Sequence, residues 1–347
     1  MSADALRDAL RRLAAGESLT AESTAAAFGV VMRGDGTAAQ IAALLMALRV
    51  KGETAAELAG AARALRAAMV PLAAHDPASL VDTCGTGGGL VPTFNISTVA
   101  AFVAAGAGAR VAKHGNRSFT TKCGSADVLE ALGVRIEMPV EQMRPVLEDA
   151  GIVFMFAPLM HPAMRHVGPV RREISIPTMM NLLGPLANPA GAGRQVVGVS
   201  DASRRPLVAA ALAALGTVHA MVVHGAPGMD EISPMGMTAV SEIRGARVSE
   251  WQIDPREFGM PLAEAAALAG GSPQENARRV ADLLEGRERG AARDAVVLNA
   301  AAAIYVAGLA PDYAAAVRRA GETIDSGAGA ESLRRLTRAS AAPSAAR

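Results

Sequence analysis

The residues with the clearest chemical potential begin at position 81. Residues 81–89 read Val-Asp-Thr-Cys-Gly-Thr-Gly-Gly-Gly, and residues 94–98 read Phe-Asn-Ile-Ser-Thr ahead of an apolar helical run. Glycines that follow a strand let backbone N–H groups come close to a phosphate. A helix opening at 95–98 would turn its free N–H groups and positive dipole end toward the same anion. The hydroxyls of Ser97 and Thr98 can donate to phosphate oxygens or ligate Mg²⁺. The same residues also suit a tight turn closed by an Asn or Ser helix cap. The segment lacks the Gly-Lys-Ser/Thr ending of a Walker loop and is not a complete dinucleotide fingerprint.

Three further segments could share that chemistry. Lys113-His-Gly-Asn-Arg117 is followed by Thr120, Thr121, Lys122, Cys123, Gly124, Ser125 and Asp127, which brings cations, hydroxyls and an amide to one strand end. Asp127 and Glu130 also suit the opening of a helix, as cap and third-position partner. Residues 218–223 form a β-type run that leads to Asp230-Glu231. Adjacent carboxylates there suit Mg²⁺, and equally a solvated loop. His161 and His166, with Arg171-Arg172-Glu173, supply side chains of which arginine can grip a carboxylate or phosphate bidentately.

The elements that must position these groups change character near Pro77. Before it, residues 5–15, 21–32, 38–50 and 55–69 carry apolar residues at helical spacing, which predicts a small helical bundle. After it, β-type runs at 80–83, 110–112, 152–156, 195–199 and 218–223 alternate with helical stretches. That alternation predicts an α/β fold with a mainly parallel central sheet. Residues 162–189 open helically, end in a Gly/Pro-rich loop from Asn181 to Pro189, and are long enough to pack back on the bundle. The predicted division is a helical domain of 1–75 with 163–190, an α/β catalytic domain of 76–162 with 191–337, and a frayed Ala/Ser/Pro tail of 338–347. No internal repeat is present.

Composition narrows the function. Half of the 347 residues are hydrophobic but only 3% are aromatic, and 34 basic residues stand against 33 acidic ones. Such a chain has neither the basic footprint nor the stacking platforms of a nucleic-acid binder. Two cysteines, Cys84 and Cys123, make no disulfide framework or thiolate metal cage. No apolar stretch reaches the roughly 20 residues of a membrane span, and the N-terminus lacks the apolar centre of a signal peptide. A soluble, cytoplasmic protein without a membrane partner is expected.

Taken together and in order, Gly-Thr-Gly-Gly, Asn-Ile-Ser-Thr, Lys-His-Gly-Asn-Arg, Gly-Ser-Ala-Asp-Val-Leu-Glu, Asn-Leu-Leu-Gly-Pro-Leu-Ala-Asn-Pro and the Asp-Glu pair resemble the anthranilate phosphoribosyltransferases, from about Gln40 to Tyr305. The resemblance implies a small helical domain plus a larger α/β domain of the nucleoside phosphorylase/phosphoribosyltransferase-like type, assembled as a homodimer. It implies transfer of ribose 5-phosphate from phosphoribosyl diphosphate to the amine of anthranilate, a step of tryptophan biosynthesis, with Mg²⁺ as cofactor. Phosphoribosyl diphosphate would be held by Gly85, Gly88, Gly89, Thr93, Asn95, Ser97, Thr98, Lys113, Thr121 and Ser125. Anthranilate would meet Gly85, Asn116, Arg171, His114 and His161, and the metal Ser97, Asp230 and Glu231. No residue is required as a covalent nucleophile.

Three stretches depart from the family pattern. Gly89 stands where Asp is usual, which bears on the number of metal–diphosphate contacts. Thr120-Thr121 replace a Ser pair, keeping the hydroxyls. Ser175-Ile-Pro-Thr178 replaces Gly-Ile-Arg-Thr, so that Pro177 removes an arginine. Other readings on related scaffolds are a pyrimidine nucleoside phosphorylase, a transferase with a different aromatic acceptor, and a non-catalytic nucleic-acid-binding paralogue.

Overall fold

A computed structural model describes residues 4–118 and 122–341. Four helices come first: α1 (Asp4–Ala14), α2 (Ala21–Arg33), α3 (Ala38–Lys51) and α4 (Ala55–Ala67). Thr37 with Gln40 and Thr54 with Glu57 form reciprocal capping boxes that start α3 and α4, satisfying N–H groups that a helix start otherwise leaves free. The buried Glu57 carboxylate also accepts from Leu19 N–H (2.9 Å) and pairs with Lys51 (3.0 Å), tying the loop before α2 to the start of α4.

The chain then alternates strand and helix: β1 (Val81–Gly85), α5 (Ile96–Gly106), β2 (Val111–Gly115), α6 (Ser125–Ala131), α7 (Val140–Ala150), β3 (Ile152–Phe156), α8 (Ala157–Met160), α9 (Gly168–Ile174), α10 (Met180–Leu186), β4 (Arg194–Gly198), α11 (Arg205–Ala214) and β5 (His219–Gly225). A hairpin, β6 (Thr238–Arg244) and β7 (Arg247–Ile253), precedes α12 (Pro273–Leu284), α13 (Ala291–Val306), α14 (Tyr313–Asp325) and α15 (Ala328–Ala341). One seven-stranded sheet runs in the order β3-β2-β1-β4-β5-β6-β7. Strands β1 to β5 are mutually parallel, and β6 and β7 add antiparallel. The order reverses direction between β1 and β4. In open α/β sheets such a switch leaves a crevice beyond the strand carboxyl ends, where ligands bind.

Two apolar clusters flank this sheet. One joins α5, α12, α13, α14 and α15 to one face, around Phe94, Phe102, Met155 and Leu298. The other joins the first four helices, α10 and α11 to the opposite face, with Val197, Val199, Ala220 and Val222 in the same cluster as Leu44, Leu58, Leu65 and Leu183. The segment between β3 and β4 packs back on the bundle, α9 against α3 and α10 against α4.

The structure revises three details of the sequence reading. The hairpin is an addition to it: Ser241, Glu242, Ser249 and Glu250 interrupt its apolar residues, although a two-residue loop led by Gly245 (φ +58°) separates two alternating runs. The expected loop from Asn181 is in part helix α10. Pro185 is tolerated because it lies in the last turn, where the freed carbonyls of Pro185 and Leu186 accept from Gln195 and Arg66, both at 2.7 Å. The tail expected to fray from Arg338 remains helical to Ala341, since buried Ser340 accepts from Arg135 N–H at 3.2 Å. Residues 342–347 lie outside the described residues.

Ser175 closes α9 at φ +57°, in the left-handed region that suits glycine. Replacing it with glycine is expected to stabilise the protein by about 1 kcal/mol, read as a higher denaturant midpoint. A lower midpoint would show that the Ser175 hydroxyl's bond to Arg172 O (2.6 Å) outweighs the backbone strain.

Candidate active site

The glycine loop leaves β1 at Gly85 and runs beside the end of β4, where Thr86 N–H donates to Gly198 O at 2.9 Å. Its other neighbour is the turn after β5, which delivers Asp230 and Glu231. That turn contains a cis Ala226–Pro227 peptide and a bridge between Gly225 and Met229. Contact between the three loops is so close that side chains are excluded from two strand ends. A Cβ on Gly85 would overlap the Asp230 carboxylate, and one on Gly198 the Asp230 backbone carbonyl. Asp230 accepts from Gly87 N–H at 2.8 Å, with Gly87 and Gly88 both at positive φ.

Glu231 reaches across to α5, where its carboxylate accepts from Ser97 N–H at 3.2 Å. The expectation of free N–H groups at this helix start is therefore corrected. Ser97 N–H is taken by Glu231, and Thr98 N–H bonds to Asn95 O at 3.0 Å. The capping alternative fails too, because Asn95 makes no side-chain cap. Its amide oxygen instead accepts from Asn276 of α12 at 2.9 Å, and its amide N–H donates to Cys123 O at 3.2 Å.

Lys113 comes from β2 and lies under the loop, 3% exposed. Its ammonium donates to the Thr83 carbonyl, to the Thr83 hydroxyl (3.3 Å) and to the Ser97 hydroxyl (3.3 Å). Burial lowers its pKa, and the nearby Asp82 and Glu231 carboxyls counter that shift. Asp82 is fully buried in β1, where burial raises its pKa. It accepts from Asn188 (2.8 Å) and His114 N–H (3.2 Å).

Asp230 and Glu231 keep part of their surface exposed, while their carboxyls are walled in by the loops. Burial raises Asp230, and burial together with the Asp230 charge pushes Glu231 up to about 8. Two desolvated carboxyls with few donors around them favour a cation. Among the described residues no group of three or more His, Cys, Asp or Glu gathers as a full protein cage. Two carboxylates with the Ser97 hydroxyl instead fit Mg²⁺, which accepts one or two carboxylates and completes its shell with water and phosphate oxygens. Gly89 lies against Asp230: a Cβ there would sit 3.2 Å from Asp230 Oδ1, so the departure from Asp leaves the Asp230 side without a further carboxylate.

The remaining candidates fall in three places. His114 and His161 stack obliquely at 4.9 Å between ring centroids. Burial drives their pKa values down to about 3 and about 4, so both rings are neutral. The backbone of Gly184 faces the His114 ring and that of Ala187 the His161 ring. Asn116 and Ser125 meet at the end of β2, where the Ser125 hydroxyl donates to Asn116 O at 3.3 Å. Arg171 stands on α9, its pKa lowered by burial, and it makes no ion pair or hydrogen bond with another described side chain. Thr93 bridges to Ala269.

Other placements differ from expectation. The Thr98 hydroxyl is buried and unpartnered, facing an interior space lined by Phe102, Lys113 and Leu129 rather than the loop. Thr121 lies outside the described residues. Helix α6 is capped at Gly124, not Asp127, with Asp127 as the third-position partner (2.8 Å) and Glu130 paired to Arg117 (2.9 Å). Sequence reasoning does not single out Asp82, Asn276 and Asn299, and it reaches Asn188 only within a family motif. The signal is a polar residue set inside an apolar strand or helix.

A fold with this switch-point site matches two models of the glycosyl transferase family: the helical bundle domain over residues 7–69 and the a/b domain over residues 77–330. At 52% identity over 335 residues, the chain is similar to an anthranilate phosphoribosyltransferase of Rubrobacter xylanophilus, covering 96% of this chain and 97% of that one. The crystal structure of the anthranilate phosphoribosyltransferase from Thermus thermophilus superposes with a TM-score of 0.92 at 42% identity, over 96% of this chain and all of that one. The Saccharomyces cerevisiae enzyme, solved in complex with PRPP and Mg, gives 0.88 at 28% identity over 98% of each chain. The chain belongs to the anthranilate phosphoribosyltransferase family.

Proposed function

We propose that this protein transfers the phosphoribosyl group of phosphoribosyl diphosphate to the amine of anthranilate, releasing diphosphate, in tryptophan biosynthesis. The observation that carries the reading is the convergence of Lys113, Ser97 and the Asp230–Glu231 pair on one glycine loop at the sheet's switch point. Gly85, Gly88, Gly89, Thr93, Asn95, Ser97, Lys113 and Ser125 would hold phosphoribosyl diphosphate. Gly85, Asn116, Arg171, His114 and His161 would line the acceptor pocket.

In this reading diphosphate leaves the anomeric carbon as the ring gains oxocarbenium character, and the aryl amine attacks. Lys113 and the loop N–H groups, fixed before the reaction, oppose the charge growing on the leaving group. Ser97, Asp230 and Glu231 would hold Mg²⁺, which supplies further neutralisation of that charge when bound. Binding both substrates in one crevice provides orientation. An aryl amine needs little help from a base, and neutral His114 and His161 provide a pocket that does not repel the ring.

Anthranilate fluorescence tests the whole. Its loss should require phosphoribosyl diphosphate and Mg²⁺ together. A folded protein that binds phosphoribosyl diphosphate but leaves the fluorescence unchanged would have a different acceptor. Arg171→Ala should raise the anthranilate KM about 10- to 100-fold, the worth of a charge-assisted pair, with much less effect on the KM for phosphoribosyl diphosphate. Equal rises in both would remove Arg171 from the acceptor pocket.

The same reading has the protein act in the cytoplasm as a homodimer, with residues 1–75 and 163–190 forming the helical domain. Helix α3 supports the dimer: it buries Ile41, Leu44, Leu45 and Leu48 yet turns Ala39, Ala43 and Val50 outward, Val50 at 80% exposure. Sedimentation at twice the 35.3 kDa chain mass would bear this out, and a monomer would refute it.

A further inference from the structure

We infer that Asn299 is a positioning residue for cation binding, holding the Asp230–Glu231 pair in place through the main chain of Ile232; this rests on reading that pair as metal-binding. Asn299 is buried at 3% exposure in α13, flanked by Leu298 and by the alanines 300–303. An amide in such surroundings is costly unless every polar atom is bonded. Here every one is. Oδ1 accepts from Ile232 N–H at 2.9 Å, and Nδ2 donates to Ile232 O at 2.8 Å and to Ala295 O at 2.9 Å. The Ile232 N–H needs an acceptor, which fixes the amide's orientation.

Ile232 directly follows Glu231, and its main chain finds in Asn299 the pair of bonds that a neighbouring strand would otherwise supply. The segment needs them. It lies between the Gly225–Met229 bridge and the Ser233–Thr238 bond, outside the ladder of β5 and β6. On its other side the segment is pinned by Gly87 N–H to Asp230 and by Ser97 N–H to Glu231. The Asn299 side chain also lines the small cavity that contains Glu231, Ser97 and Thr83. Helix α13 is thus the rigid reference against which both carboxylates are set, through one side chain whose hydrogen bonds go to the main chain of Ile232 and Ala295.

The experiment uses Mn²⁺ as the probe, with its binding measured by electron paramagnetic resonance in the presence of phosphoribosyl diphosphate. Asn299→Leu, near in volume, removes all three bonds. It should weaken Mn²⁺ binding about 10- to 100-fold, the usual effect of losing a residue that orients a ligand, while the anthranilate KM stays within about twofold. Leu298→Ala, one residue earlier in the same helix, is the control for general loss of packing and should bind Mn²⁺ as the parent does. Unchanged affinity in Asn299→Leu, or an equal loss in Leu298→Ala, overturns the inference. If Asn299→Leu does not fold, Asn299→Ser takes its place against the same control. Failure of the parent to bind Mn²⁺ would overturn the metal reading itself, and this inference with it.

Discussion

Glu231→Gln should lower Mg²⁺-dependent turnover by about a hundredfold or more while raising the melting temperature of the ligand-free protein. Both effects have one cause. The carboxyl is set beside Asp230 in a desolvated corner, which suits a cation and penalises an unaccompanied negative charge. Glutamine keeps the shape, and its amide oxygen can still accept from Ser97 N–H. The pH dependence follows from the direction of the shift. A carboxyl raised from 4.5 to about 8 contributes stability that is complete below pH 4.5 and is lost as the pH rises through about 8. The variant's advantage should therefore be near zero at pH 4.5 and reach about 2–5 °C at pH 8.5, read by calorimetry without ligands. Equal melting temperatures at pH 8.5 would mean that Glu231 is not strained in this way.

Lys113→Met should reduce turnover as severely, by about 10²- to 10³-fold, but with the opposite effect on stability. Among the described residues its ammonium is the one cation whose charge acts on Asp82, Cys84 and Glu231 alike, and it bonds Thr83 and Ser97 directly. At pH 8.5, where the Glu231 carboxyl is charged, removing one member of this buried charge set costs about 3–5 kcal/mol, because the partner charge remains without compensation. The double variant Lys113→Met/Glu231→Gln should regain part of that loss, since it removes the cation and one of the charges it served. If the single and double variants melt together, Lys113 and Glu231 are not coupled and the electrostatic account of the site is wrong.

Much of this arrangement is legible in the sequence, and the unread portion has physical reasons. The five parallel strands are found because buried strands are short apolar runs, such as Ile152–Phe156. The hairpin beyond them escapes because one face of β7 meets water and carries Val248, Glu250 and Gln252, all exposed. Helix α10 reads as loop from Gly184 and Pro185, whose local preference yields when Arg66 and Gln195 satisfy the freed carbonyls. At the site, the glycines, Lys113 and the carboxylate pair declare themselves by type and spacing. Occupation of the α5 start by Glu231, 134 residues distant in sequence, does not, because only the fold brings the two together. The same holds for Asn276 and Asn299, whose partners lie 181 and 67 residues away.

The sheet face that carries Val197 and Val222 has its apolar cover in common with the amino-terminal bundle. Bundle and sheet are therefore one cooperative unit in denaturation, and heating should give a single calorimetric transition whose van't Hoff and calorimetric enthalpies agree. Cutting the chain at residue 77 would strip the bundle from α10 and α11 and leave their outer surface open and prone to self-association. A change of side-chain volume at Leu58 or Leu65 is felt through α11, which α4 packs against, at β5, the strand that leads to Asp230 and Glu231. Residues remote from any substrate thus constrain the tolerances of the catalytic rim, and the two matched modules can drift in evolution only as a pair.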